Sequence, residues 1–174
     1  TERKSTGMSE LDRVLGGGVV PGMAVLVAGE PGIGKSTLLL DLARSFGHKD
    51  DRNSGKSEKS DTILYVAGEE SASQIKIRAE RMGINENNII VAEETDTDRV
   101  IEIINQTKPA LIIADSIQTL TTSDLEGVAG SVGQVRESAG RLVATTKPLD
   151  IPLFLVGHVT KDGYRLLSVE GKPR

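Results

Sequence analysis

The chain has 174 residues, 37% hydrophobic and 26% charged, with a net charge of −4. That is enough for one globular domain with a sizeable core. No stretch approaches the ~20 apolar residues of a membrane span, and no signal peptide opens the sequence, so the expectation is a cytoplasmic protein without membrane contact. The absence of cysteine excludes disulfides, cysteine-held zinc and a cysteine nucleophile. Two histidines are too few for a histidine-rich metal site. The acidic balance excludes a whole-molecule basic field for nucleic acid and leaves only a local patch. With two phenylalanines, two tyrosines and no tryptophan, a base-stacking platform is not expected and the core must be aliphatic.

The first clear element is "AVLVAG" (24–29), a short β-branched run ended by glycine that reads as a buried strand. "KSTLLLDLARSF" (35–46) follows as a helix with Leu38, Leu39, Leu42, Ala43 and Phe46 on one face, and Gly47 stops it. The stretch 48–61 is polar, its four basic and four acidic residues cancel, and it reads as a flexible surface loop. "TILYVAG" (62–68) is the next strand. A helix follows, with Ser71 and Gln74 spaced as a capping box, an inward face of Ile75, Ala79 and Met82, and Gly83 as its stop. "NIIVAE" (88–93) is a strand. A helix with Val100, Ile103, Ile104 and Thr107 in register comes next, closed before Pro109. "ALIIAD" (110–115) is a strand, followed by a long loop to Gly130. Ser131 and Gln134 are spaced as a second capping box, opening a helix with Val132, Val135, Leu142 and Val143 inward. "IPLFLVG" (151–157) is the last clear strand. Strands that alternate with helices and are apolar on both faces predict an α/β fold with a mostly parallel central sheet covered on both sides.

Between the first strand and the first helix lies "GEPGIGKST", Gly29, Glu30, Pro31, Gly32, Ile33, Gly34, Lys35, Ser36 and Thr37. It matches the phosphate-binding loop G-x-x-x-x-G-K-[ST] in the required strand–loop–helix context. Glycines let backbone N–H groups converge on phosphate oxygens, and the helix adds its positive end at the same point. Lys35 is expected to reach the β- and γ-phosphates of ATP, and Ser36 to ligate Mg²⁺. Asp115, closing an apolar strand at the edge that faces the ligand crevice, is expected to hold Mg²⁺ through water. Hydrolysis also needs a group that positions or deprotonates water. Glu69 and Glu70 end the second strand. Both suit the first turn of the following helix, and Glu69 is favoured as the base. His158, at the end of the last strand, is the candidate γ-phosphate sensor, and Lys161 a candidate contact to phosphate or DNA. Arg136 and Arg141, about 140° apart on one helix, form no single basic stripe.

The stretches "STGMSELDRVLGGGVVPGMAVLVAGEPGIGKSTLLL", "YVAGEES", "DSIQT", "GSVGQVRES" and "LVGHVTKDG" resemble, in this order, the RecA-like ATPase core of the bacterial RadA/Sms family, over 5–163. The phosphate loop is common to many families; "DSIQT", "GSVGQVRE" and "GHVTKDG" are what make the resemblance specific. It implies a RecA-like P-loop NTPase forming a homo-hexameric ring with ATP at subunit interfaces. It also implies DNA-dependent ATP hydrolysis driving branch migration or unwinding in homologous recombination and repair. Single-stranded or branched DNA and a recombinase are the implied partners. By the same analogy Glu69 takes the place of the catalytic glutamate and His158 that of the sensor. The loop 119–130 and the residues after His158 match regions that face DNA. Family members carry an N-terminal four-cysteine zinc module, a Lon-protease-like C-terminal domain and a KNRFG motif, none of which is in this sequence. The expectation is therefore a single ATPase domain over 1–174, binding ATP or ADP with Mg²⁺ and no zinc. Its last stretch, "YRLLSVEGKPR", resembles a later strand of the core. Two alternatives stand beside this one: a KaiC-like signalling ATPase, which shares the "TG…LD…LGGG…PG" pattern, and a nucleotide-loaded scaffold without efficient turnover.

Overall fold

Five strands form one all-parallel sheet in the computed structural model, which describes residues 2–30, 34–47 and 62–158. The strands are β1 (Ala24–Gly29), β2 (Ile63–Ala67), β3 (Ile89–Glu93), β4 (Leu111–Asp115) and β5 (Leu153–His158). Their spatial order is β1-β5-β4-β2-β3. The helices between them are α2 (Lys35–Gly47), α3 (Ala72–Arg81), α4 (Thr97–Thr107) and α5 (Val132–Thr146), and α1 (Ser9–Val14) precedes the first strand. The loop 48–61, the segment around Lys161 and the stretch "YRLLSVEGKPR" lie outside the described residues.

The order follows from handedness. Crossovers between parallel strands are right-handed, so the face a helix covers depends on the direction in which the chain moves along the sheet. From β1 to β2 to β3 it moves one way, and α2 and α3 pack on one face. From β3 back to β4 and then β5 it moves the other way, and α4 and α5 pack on the opposite face. The strands show this residue by residue, because successive side chains point to opposite faces. Ile63, Tyr65, Ala67, Leu111, Ile113, Phe154 and Val156 join Leu39, Leu42, Phe46 and Ile75 in one core cluster. Leu64, Val66, Ile112, Ala114, Leu153 and Leu155 join Val100, Ile104 and Leu142 in the other.

Local chemistry sets most helix ends. The capping box at α3 forms with both of its hydrogen bonds. Gly83 then ends the helix with φ +75, and Ile84 N–H returns to the Ala79 carbonyl at 3.0 Å. At α5 only half of the expected box exists. Ser131 accepts from Gln134 N–H, but the Gln134 side chain turns inward instead of reaching back. The buried face of α5 is Gln134, Ser138, Leu142 and Thr146, while Val132, expected inward, is 66% exposed. Ser138 is tolerated inside because Thr97 of α4 donates to it at 2.9 Å. On α2 the buried set is Leu39, Leu40, Leu42, Ala43 and Phe46, and Leu38 lies at the margin. This helix crosses the middle of the sheet, against β1, β5, β4 and β2, and is buried over a wider arc than a surface helix.

The segment before β1 folds back over this face. Helix α1, which hydrophobic periodicity did not reveal, is held by Asp12. Its carboxylate accepts from Ser5 Oγ (2.6 Å), Thr6 Oγ1 (2.6 Å) and Thr6 N–H (2.8 Å). These hydrogen bonds, first those of the Ser5 and Thr6 hydroxyls, hold the Asp12 carboxyl below the usual carboxylate range. A lowered folded pKa stabilises the fold above the ordinary value, and that stability is lost as pH falls through the lowered one. Asp12→Asn should therefore lower the melting temperature at pH 7, and the difference from the parent should shrink below about pH 4. Thermal melts of both chains across that range check this.

Candidate nucleotide site

The parallel sheet puts every strand's carboxyl end on one edge, where ligands of open α/β sheets bind. Gly29 and His158 are register partners at the tips of β1 and β5. Ala67 and Asp115 are register partners at the tips of β2 and β4. Asp115 is two residues past Ile113 and so falls in phase with the face that α2 covers.

Helix α2 begins at that edge. Its first turn holds no acidic residue of its own. Gly34, just before it, has φ +86, a left-handed conformation that glycine adopts without strain, and nothing lies within 4 Å of where a Cβ would sit. Lys35 is buried, and its Nζ donates to the carbonyls of Gly29 (2.6 Å) and Glu30 (2.7 Å). An ammonium has three donors, and two of them are taken by these described carbonyls. Thr37 is exposed on the same turn, while Pro31, Gly32 and Ile33 lie outside the described residues.

Ser36 Oγ donates to Asp115 Oδ2 at 2.6 Å, joining positions 79 apart in the chain. Tyr65 OH donates to the same oxygen, also at 2.6 Å. Burial first, then the Asp115 carboxylate, push the Tyr65 phenol well above its ordinary range. A serine hydroxyl beside a carboxylate is an all-oxygen donor set of the kind Mg²⁺ takes while keeping several waters. The residues present therefore fit that ion.

The segment after Asp115 is fixed from several sides. Gly68 N–H donates to the Asp115 carbonyl at 2.9 Å. Thr119 Oγ1 donates to the Ser116 carbonyl at 2.7 Å and packs directly on Gly68. Gln118 clamps the tip of β5: its Nε2 donates to the His158 carbonyl (3.0 Å), and His158 N–H donates to its Oε1 (3.3 Å). Ser116 Oγ and His158 Nδ1 are buried atoms with no hydrogen-bond partner among the described residues. The two glutamates part company here. Glu70 pairs with Arg78, whereas Glu69 is exposed and has no such partner among the described residues.

A second polar latch holds the loop before α5. Gln134, only 1% exposed, accepts from Thr122 N–H (2.9 Å) and donates to the carbonyls of Thr122 (3.2 Å), Leu125 (2.7 Å) and Gly127 (3.3 Å). Arg141 bonds Asp98 (2.8 Å), Asp124 (2.9 Å) and Glu137 (3.0 Å), so it is no solvated helix arginine. Spacing did not point to Tyr65 or Gln118, and it gave Gln134 only as a capping-box member and Arg141 only as a helix arginine outside any basic stripe. Of the first two, only Tyr65 left a signal, because strand alternation puts it on the same face as Asp115.

A family model described as an AAA domain matches residues 3–164. "DNA repair protein RadA" of Aquifex aeolicus is 45% identical over 162 residues, 93% of this chain and 34% of that protein. The protein of the same name from Mycobacterium tuberculosis H37Rv is 48% identical over 160 residues, 91% of this chain and 31% of its own length. The chain belongs to the RadA/Sms family of AAA-domain proteins. The Bacillus subtilis RadA is 45% identical over 161 residues, covering 92% of this chain and 33% of its own. This RadA/Sms-family core thus spans about a third of the curated relatives it matches. Its α/β fold is that of a RecA-like P-loop ATPase domain. Among the described residues no helix is long and apolar enough to cross a membrane.

The packing at Gly68 is open to a direct test. A Cβ there would lie 1.8 Å from Thr119 Oγ1 and 2.5 Å from Thr119 Cβ. Gly68→Ala should cost about 1–3 kcal/mol in urea denaturation. Thr119→Ser should not relieve it, because the offending oxygen remains.

Proposed function

We propose that residues 1–174 form one ATPase domain that binds ATP or ADP with Mg²⁺ at the carboxyl edge of β1 and β4 and hydrolyses ATP. The observation that supports this best is the 2.6 Å contact of Ser36 Oγ with Asp115 Oδ2. It sets the hydroxyl of the phosphate loop against the strand-end carboxylate at the start of α2. In this reading the backbone N–H groups of the loop 29–37, Pro31 excepted because proline has none, would donate to the phosphates, and Lys35 would direct a donor to them. Ser36 and Asp115 hold the metal, Asp115 through water. Held by these residues, Mg²⁺ would supply positive charge against the phosphates.

Glu69 is the proposed base. It lies two residues past Ala67, the register partner of Asp115, and no ion pair engages it among the described residues, whereas Arg78 engages Glu70. His158 is the proposed sensor. It is the register partner of Gly29, and its Nδ1 is buried and without a partner. Gln118 holds its backbone to the segment that follows Asp115.

We further infer that this core couples hydrolysis to single-stranded or branched DNA, as a homo-hexameric ring acting in recombination and repair, with a recombinase as a candidate partner. The support is the name "DNA repair protein RadA" on its relatives. That name also favours this reading over a KaiC-like signalling ATPase. A nucleotide-loaded scaffold would bind ATP without turnover, and the same experiment separates it.

Steady-state ATP hydrolysis, measured with and without single-stranded DNA, tests the proposal. Lys35→Ala should abolish turnover or nucleotide affinity, and normal behaviour in that variant would sink the phosphate-loop assignment. Glu69→Gln should bind ATP and lose about 10²- to 10⁴-fold in turnover, the range of general acid–base catalysis. The same loss in Glu70→Gln, with Glu69→Gln active, would reverse the choice of base. Turnover indifferent to DNA would place DNA coupling outside this chain.

A further inference from the structure

We propose that Tyr65 is a positioning residue for metal binding. Its buried hydroxyl fixes Asp115 Oδ2 so that Oδ1 is the oxygen offered to the metal's water. The inference rests on the nucleotide-site reading above and deepens it.

The geometry points this way because Oδ2 already has two donors. Ser36 Oγ and Tyr65 OH each lie 2.6 Å from it, in the range of charge-assisted O–H···O⁻ bonds. No described residue donates to Oδ1. The two donors differ in mobility. Ser36 sits on the first turn of α2, at the partly exposed edge, and is itself a candidate metal ligand. Tyr65 is in the middle of β2, fully buried, its ring enclosed by the apolar cluster beneath α2. A phenol held there can neither swing away nor be replaced by water.

A strand-end carboxylate is free to turn about two side-chain bonds. One rigid donor from inside the core removes that freedom and leaves the second oxygen without a donor among the described residues. Phenylalanine would fill the same apolar space, so the hydroxyl's own contribution is its bond to Asp115. If that bond only satisfied a buried polar group, its removal would lower stability and leave metal dependence untouched.

The test uses the whole chain. A fluorescent ADP analogue is titrated into the parent and Tyr65→Phe, first in EDTA and then across a range of Mg²⁺. Equal affinity in EDTA is expected, with the Mg²⁺ midpoint of the variant raised about tenfold, the factor for one lost bond to a charged group. An unchanged midpoint, in a parent whose binding depends on Mg²⁺, overturns the proposal. A parent that does not bind nucleotide, or that binds it no better than Lys35→Ala, overturns the site reading instead, and this inference with it.

A measurement on the parent covers the case of a variant that does not fold. The chain has two tyrosines, Tyr65 and Tyr164, so ¹³Cζ-labelled tyrosine gives two resonances. The Tyr65 signal is the one that remains in Tyr164→Phe. It should move when Mg²⁺ is added to the ADP-bound chain. A signal that Mg²⁺ leaves in place overturns the proposal as surely as an unchanged midpoint.

Discussion

Asp115 Oδ2 accepts hydrogen bonds from Ser36 and Tyr65 at once, and the site is organised around that oxygen. Through it the end of β4 is tied to the first turn of α2 and to the middle of β2. The tie is available because the sheet is parallel and in register. Ala67 lies beside Asp115, and strand alternation turns Tyr65 and Asp115 to the face that α2 covers. A one-residue slip of β4 would turn the carboxylate to the opposite face, against α4 and α5.

Around this node the irregular segments are held by amides and a guanidinium. Gln118 clamps β5 at His158, and Gln134 gathers the carbonyls of Thr122, Leu125 and Gly127. Arg141 joins α5 to Asp98 and Asp124. Loop carbonyls that no strand or helix partners must find donors elsewhere, and a buried glutamine supplies two from one side chain. This gives a physical reason for the residues of "DSIQT" and "GSVGQVRE". Asp115 belongs to the site, Thr119 packs on Gly68, and Gln118 and Gln134 satisfy backbone. A nucleotide that engaged Asp115 and His158 together would act on two strand tips already joined by Gln118.

The five strands and the four longer helices were legible because their signals are local. Apolar runs of strand length, helical periodicity, and the stops at Gly83 and before Pro109 need no knowledge of the fold. Helix α1 was not legible, since its six residues have no buried position to give a period. Val132 misled because its spacing matched an inward face, whereas the polar loop that packs on α5 takes Gln134 into the interior and Thr97 of α4 partners Ser138 there.

The sequence by itself determined the α/β class, the phosphate loop and the candidate carboxylate. Each depends on residues adjacent in the chain, or on a strand end that its own apolar run announces. The tertiary structure alone decided that Ser36 meets Asp115, that Tyr65 shares its oxygen, that Gln118 holds His158, and that Glu70 rather than Glu69 pairs with Arg78. Strand order sets the first three of those meetings, while the Glu70–Arg78 pair forms locally between the end of β2 and α3. That order comes from crossover handedness and the packing of helices on two faces, which no short window of sequence contains.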